Sequence, residues 1–388
     1  MSIRRKACIA GAYEHPTRKA PDKTVAQLHA ESALGALRDA GLSLQDVDGY
    51  FCAGDAPGLG GLNMADYIGL RVRHIDTTDT GGSSYIVHVA HAAQAIAAGK
   101  CNVALITLAG RPRSEASSGT QPRNFGPNLP DAPFETPFGP VTVNLYAMVA
   151  MRHMHDWGTT PEQLAWIKVA ASQHAQHNPH AMLREPVTVR EVLDSPMMSD
   201  PLHRLDCCVV SDGGGALVVT RPEIARSLAR PLVSVLGAGE ALKGLDAGQV
   251  DLSHSAAAYS APIAFAEAGV TPADIRYASI YDSFTITVLM QLEDLGFCPK
   301  GQGGRFVADG NLIAGVARLP FNTDGGGLCN NHPANRGGIT KVIEAVRQLR
   351  GEAHPAVQVR DCSLALAQGI GGALAGRHAS ATLILERG

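Results

Sequence analysis

Charge is scarce in this chain of 388 residues, and its signs nearly cancel. Asp, Glu, Lys and Arg make up 18% of the residues, and the formal net charge is −3. Such a chain has no electrostatic footprint for nucleic acid or for an anionic membrane surface. Metal-type cysteine spacing is missing too. The eight cysteines (Cys8, Cys52, Cys101, Cys207, Cys208, Cys298, Cys329 and Cys362) include no Cys-x-x-Cys, so no metal site is expected. Most sit in apolar runs that read as strands. They fit small buried hydrophobes in a reducing cytosol, so a cytoplasmic location is expected. No secretory leader is read at the start either: the basic Met1–Lys6 leads into a short apolar run, Ala7 to Tyr13, that stops at His15-Pro16 and reads as a first strand.

The longest absence runs from Gly81 to Gly99, GGSSYIVHVAHAAQAIAAG, where no Asp, Glu, Lys or Arg occurs. Its length would suit a membrane span. Two histidines, a glutamine, many alanines and a Gly/Ser-rich start fit a helix packed among neighbours instead. A polar, glycine-rich helix start suits a nucleophile or an anionic oxygen.

Glycine is plentiful, with 42 residues, which implies many tight turns and close backbone approaches. Internal repetition is also present. AGLSLQDV (40–47) followed by GYFCAG is echoed by AGVTPADI (268–275) followed by YASIYD. Each is preceded by a helical stretch, AESALGALRD or APIAFAE. Thr78-Asp79-Thr80-Gly81-Gly82 is echoed by Thr323-Asp324-Gly325-Gly326, each before a helix, 83–98 and about 337–350, that ends at Gly99 or Gly351. A strand follows each, and a glycine-rich hairpin closes each copy, at 211–220 and 369–385. The order is strand, helix, strand, helix, strand, twice. That alternation predicts an α/β fold of two duplicated βαβαβ halves with mixed, mostly parallel sheets around buried helices. The halves are 1–110 with 207–222, and 223–388. Between them 111–206 is an inserted cap, loop-like and Pro/Gly-rich at first and helical afterwards; such an insertion usually covers a site.

Short motifs fall in order along this frame. The 83–110 helix and strand are followed by SDPLHRLDCCVVSDGGGALVV, YDSF at 281–284, Asn331-His332-Pro333, and Gly369-Ile370-Gly371-Gly372. Together they resemble the thiolase superfamily over essentially the whole length. The resemblance is closest to the sterol-carrier-protein-x type of thiolase and its lipid-transfer-protein-like relatives. YDSF sits where that branch has HDCF, Asn331-His332-Pro333 where thiolases have GHP, and 369–372 where they have C-x-G-G. Thiolases place a nucleophilic cysteine at a helix N-terminus, whose dipole lowers the thiol pKa. The matching position here is Gly82. The second cysteine matches Gly369, the histidine of HDCF matches Tyr281, and the histidine of GHP is retained as His332.

Without the nucleophile, the resemblance implies the chemistry of the aldolase members, which cleave steroid side chains from β-hydroxyacyl-CoA and carry Tyr in the HDCF position. In that reading Tyr281 is the base, able to pass a proton once its pKa is lowered. His332 donates to the enolate oxygen, and Asp282 or a water assists. Gly82, Asn331, Gly371 and Gly372 border the substrate. Coenzyme A enters as part of the substrate, and no covalently bound cofactor is expected. The resemblance also implies a homodimer and a small OB-fold/zinc-ribbon partner that helps hold the substrate. Two alternatives stay open. One is an acyl-CoA C-acyltransferase using Ser83 or Cys329; the other is a non-catalytic acyl-CoA-binding subunit. Ser83 also reads as a helix N-cap, Asp282 as an N-cap, and His88 and His91 as core histidines. The cluster His174, His177, Asn178 and His180 reads either as a contact for a CoA phosphate or as a solvated loop.

Overall fold

The computed structural model describes residues 2–117, 132–316 and 319–388. Its strands are β1 (Cys8–Glu14), β2 (Gly49–Phe51), β3 (His74–Asp76), β4 (Val103–Gly110), β5 (Met197–Ser199), β6 (Leu202–His203), β7 (Gly213–Thr220), β8 (Val233–Lys243), β9 (Tyr277–Ile280), β10 (Leu364–Gly372) and β11 (His378–Arg387). β5 and β6 form a small hairpin, and the others make one sheet in the order β3-β2-β4-β7-β1-β8-β11-β10-β9. Read outward from the β1–β8 junction, the two sides repeat: β1-β7-β4-β2 corresponds to β8-β11-β10-β9. Even the edge strand β3 has a counterpart, because Phe321 bridges Ala278 of β9 in parallel. The two sides are joined by the pairing of Cys8 with Ser234.

The sheet is mixed, as expected, but not mostly parallel. β2–β3, β2–β4 and β9–β10 run parallel. The remaining pairings of the sheet are antiparallel. The cause is the last strand of each copy. β11 returns on β10 through a short glycine-containing turn, and β7 runs against both β4 and β1, so each copy closes antiparallel.

Layering explains the charge-free segment. The Val25–Ala40 helix packs on β1, β4 and β7, and the Ala257–Ala268 helix packs on β8 and β11. Between the two sides lie the Ser84–Ala97 and Gly338–Arg350 helices, each touching strands of both. Tyr85, Val89, Ala93, Ile339, Val342 and Val346 fill one core with strand residues from both copies. The Ser84–Ala97 helix is buried along most of its surface, with Gln94 and His91 as its outward positions, which suits an apolar, small composition. The insertion contributes the Thr142–Trp157 and Pro161–Ala175 helices, which pack on the second copy's core. The part of its Pro/Gly-rich start at 118–131 lies outside the described residues. Among the described residues no helix is long and apolar enough to cross a membrane.

Candidate active site

The N-termini of the two central helices converge, and β9 and β10 end beside them. Tyr281 follows directly on β9. Its N–H donates to the Gln368 carbonyl at 3.0 Å, and its carbonyl accepts from Gln291 Nε2 at 2.7 Å. With its backbone fixed this way, the buried side chain reaches back between the helix starts. The hydroxyl lies 3.0 Å from His332 Nε2 and accepts the Gly337 N–H at 3.1 Å. The rings meet edge to face, with centroids 5.5 Å apart. The His332 N–H donates to Ser211 Oγ at 2.9 Å. Its Nδ1 is buried with no hydrogen-bond partner among the described residues.

Burial favours the neutral form of both rings. It pushes the Tyr281 hydroxyl well above the ordinary phenol value and pulls the His332 imidazole down to about 4. The expectation of a lowered tyrosine pKa is therefore corrected. The hydrogen bond from the Gly337 amide and, more weakly, the charge of Arg336 pull the other way but do not offset the desolvation.

Gly82 explains why the tyrosine fits. A Cβ there would lie 2.5 Å from Tyr281 Oη and 2.4 Å from the Ile370 carbonyl oxygen. The tyrosine thus occupies the space that a side chain at the nucleophile position would need. Gly82 also meets the other helix: a Cβ on Gly338 would lie 2.0 Å from the Gly82 carbonyl oxygen. Gly371 packs as tightly against the Thr80 carbonyl. Gly372 sits exposed at the end of β10, in its turn with β11, and is not brought to Tyr281.

The other expected residues are placed as follows. Asn331 is buried; its Oδ1 accepts from Ser211 Oγ at 2.6 Å and its Nδ2 donates to Glu14 Oε1 at 3.0 Å. Asp282 is fully committed: its oxygens accept from the Gly327 and Leu328 N–H groups and from Lys341 Nζ. It caps no helix after β9; the amides it holds open the short Gly326–Cys329 helix. Ser83 donates to the Thr80 carbonyl and lies 3.0 Å from Thr80 Oγ1, bonds no His, Asp, Glu or Lys among the described residues, and makes no N-cap bond. The Cys329 thiol is buried, which pushes its pKa up. His88 bonds the Thr78 carbonyl, whereas His91 pairs with Asp76. No cluster able to hold a metal occurs among the described residues. His177, Asn178 and His180 line an open cavity of about 280 Å³ that neither Tyr281 nor His332 borders. His174 is buried apart from them, accepting the Ala314 N–H.

Lys341, Ser211 and the Gly337 amide were not singled out from sequence. A backbone amide leaves no sequence signal, and Ser211 is one serine in a loop. Lys341 does leave one: it is a charge within Ile339-Thr340-Lys341-Val342-Ile343, the start of a helix otherwise placed in the core.

Known proteins resemble the chain over nearly its whole length. Residues 239–387 match the thiolase C-terminal domain-like family. The chain is 35% identical over 359 residues to the steroid side-chain-cleaving aldolase of Thermomonospora curvata, covering 89% of this chain and 90% of that one. It is 31% identical to an acetyl-CoA acetyltransferase of Methanothermobacter thermautotrophicus, over 95% and 97% of the two chains. Among solved structures, the Ltp2-ChsH2(DUF35) aldolase superposes with a TM-score of 0.89 at 31% identity, covering 99% of this chain and 98% of that one. Similarity of this extent, to an aldolase and an acetyltransferase relative and to a solved aldolase, leads to one conclusion: the chain belongs to the thiolase superfamily, in its lipid-transfer-protein-like branch.

Proposed function

We propose that this protein is a lyase that cleaves a β-hydroxyacyl-CoA by a retro-aldol reaction, with Tyr281 and His332 as its proton-handling pair. The observation that carries this is the tyrosine hydroxyl in the space of the nucleophile's side chain, bonded to His332 Nε2. A phenol held neutral is not a standing base, but it can relay. In the tautomer with hydrogen on Nδ1, Tyr281 donates to Nε2. Its oxygen then accepts the substrate's β-hydroxyl proton as its own proton passes to His332. The Cα–Cβ bond breaks, its electron pair forms the thioester enolate, and the β-carbon becomes a carbonyl. His332, a weak base in this setting, returns the proton through Tyr281 to the α-carbon. Neither water nor an oxidant is consumed.

The acyltransferase reading is supported by the acetyltransferase relative. Against it stand Ser83, bonded to no base among the described residues, and Cys329 with a raised pKa. On the lyase reading, Tyr281→Phe lowers turnover of a β-hydroxyacyl-CoA about 10²–10⁴-fold with little change in binding, while Ser83→Ala is mild. Near-normal turnover in Tyr281→Phe would overturn it.

The acyl-CoA substrate, a small OB-fold/zinc-ribbon partner, a homodimer and a cytoplasmic location belong to the same proposal. The partner reading draws on the solved relative, whose name joins Ltp2 to ChsH2(DUF35). The dimer reading draws on the edge strand β3, which exposes Ile75. A monodisperse monomer in light scattering would remove the dimer.

A further inference from the structure

We infer that the buried Asp282–Lys341 pair is a positioning brace that sets the geometry of Tyr281, His332 and the Gly337 amide. This rests on the reading of Tyr281 and His332 as the working pair.

Three segments of chain meet at the Tyr281 hydroxyl. β9 delivers Tyr281, the 326–332 segment delivers His332, and the start of the Gly338–Arg350 helix delivers the Gly337 N–H. The Gln368 carbonyl and the Ser211 hydroxyl each fix one of these segments, and Asp282 and Lys341 tie the three to one another. Asp282 is the residue after Tyr281. Its Oδ1 accepts the Gly327 N–H at 2.8 Å and its Oδ2 the Leu328 N–H at 3.1 Å, which fixes the turn leading to His332. The same Oδ1 accepts from Lys341 Nζ at 2.8 Å, which fixes the first turn of the helix that begins after Gly337. The His332 ring rests on both turns: a Cβ on Gly327 would lie 3.0 Å from Asp282 Oδ1 and 3.3 Å from His332 Cδ2, and one on Gly337 would lie 3.0 Å from His332 Cδ2. Both charges are buried, with side-chain exposures of 1% for Lys341 and 0% for Asp282. A buried ion pair is a poor source of net stability, because desolvation offsets its attraction. Its use here is registry: one carboxylate ties together the three segments that carry the site. Both of its oxygens are engaged by these segments.

Lys341→Met removes the ammonium and keeps the length. Asp282→Asn combined with Lys341→Met removes both charges, so that no unpaired carboxylate is left to unfold the protein. In each folded variant we expect kcat on a β-hydroxyacyl-CoA to fall at least 10-fold with KM within about 3-fold of the parent. Added to Tyr281→Phe, the same changes should cost less than 3-fold, because the hydroxyl they position is gone. A readout independent of activity is the ¹⁵N resonance of His332, which should lose the signature of a hydrogen-bonded Nε2. Unchanged kcat, a full loss on top of Tyr281→Phe, or an unchanged His332 resonance would each overturn the brace. If the parent protein cleaves no β-hydroxyacyl-CoA, the lyase reading fails, while the His332 resonance still decides whether the pair positions the ring.

Discussion

At the scale of single residues, the site is defined by an exchange of volume. The Tyr281 hydroxyl stands where a Gly82 side chain would be, so the two positions cannot both be filled. Restoring cysteine at Gly82 should therefore not restore a thiolase. The added side chain must displace both Tyr281 and the Ile370 carbonyl, and overpacking of this kind costs about 1–3 kcal/mol. We expect Gly82→Cys to lower the midpoint of urea unfolding, and Tyr281→Ala to recover part of that loss in the double variant, the Ile370 carbonyl still meeting the new side chain. A Gly82→Cys protein as stable as the parent would mean the tyrosine does not fill the pocket. The missing nucleophile and the retained His332 were legible in the sequence, because both lie in ordered short motifs. The direction of the Tyr281 pKa was not, because it depends on burial produced by chain far from residue 281. Nor was the role of Asp282: its three donors, Gly327, Leu328 and Lys341, lie 45, 46 and 59 residues away.

At the scale of elements, two helices in corresponding places meet at their N-termini. Gly82 precedes the Ser84–Ala97 helix and Gly338 opens its counterpart, with space for a Cβ on neither. Gly338→Ala should push the helix starts apart. Because Gly337 and Gly82 both border Tyr281, turnover should fall together with about 1–3 kcal/mol of stability. Calorimetry and turnover of this one variant check it; a fully active protein with the parent's melting temperature would contradict the close contact. The repeat made these helices legible, since each is announced by a Thr-Asp segment and closed by a glycine. Strand direction was less legible. The alternation of strands and helices predicts parallel pairing, but the returning β7 and β11 pair antiparallel, and their direction depends on where a connection re-enters the sheet.

At the scale of the whole molecule, buried histidines set the response to acid. His88, His174, His332 and His378 are each held down to about 4 by burial. The unfolded chain protonates such groups near pH 6.5, whereas the folded chain resists until about pH 4. Their contribution is complete above the unfolded value and is lost as pH falls toward 4, on the order of 3 kcal/mol each at the acid limit. Glu344, pushed up to about 7 by burial, opposes part of this loss. His91, raised to about 9 by its bonds to Asp76 and Glu240, stabilises below the unfolded value, and that contribution is lost as pH rises through 9. Urea midpoints should therefore fall between pH 6.5 and 4 and decline again toward pH 9; a flat profile would contradict the buried neutral histidines. The central claim concerns the reaction of the intact protein and has a more direct test. The protein, with any copurifying partner, is incubated with a β-hydroxyacyl-CoA, and both its intact mass and the products are followed by mass spectrometry. The account predicts a carbonyl product and a shortened acyl-CoA in equal amounts, with the protein's mass unchanged throughout. An acyl adduct on the protein, on Ser83 or Cys329, would contradict it.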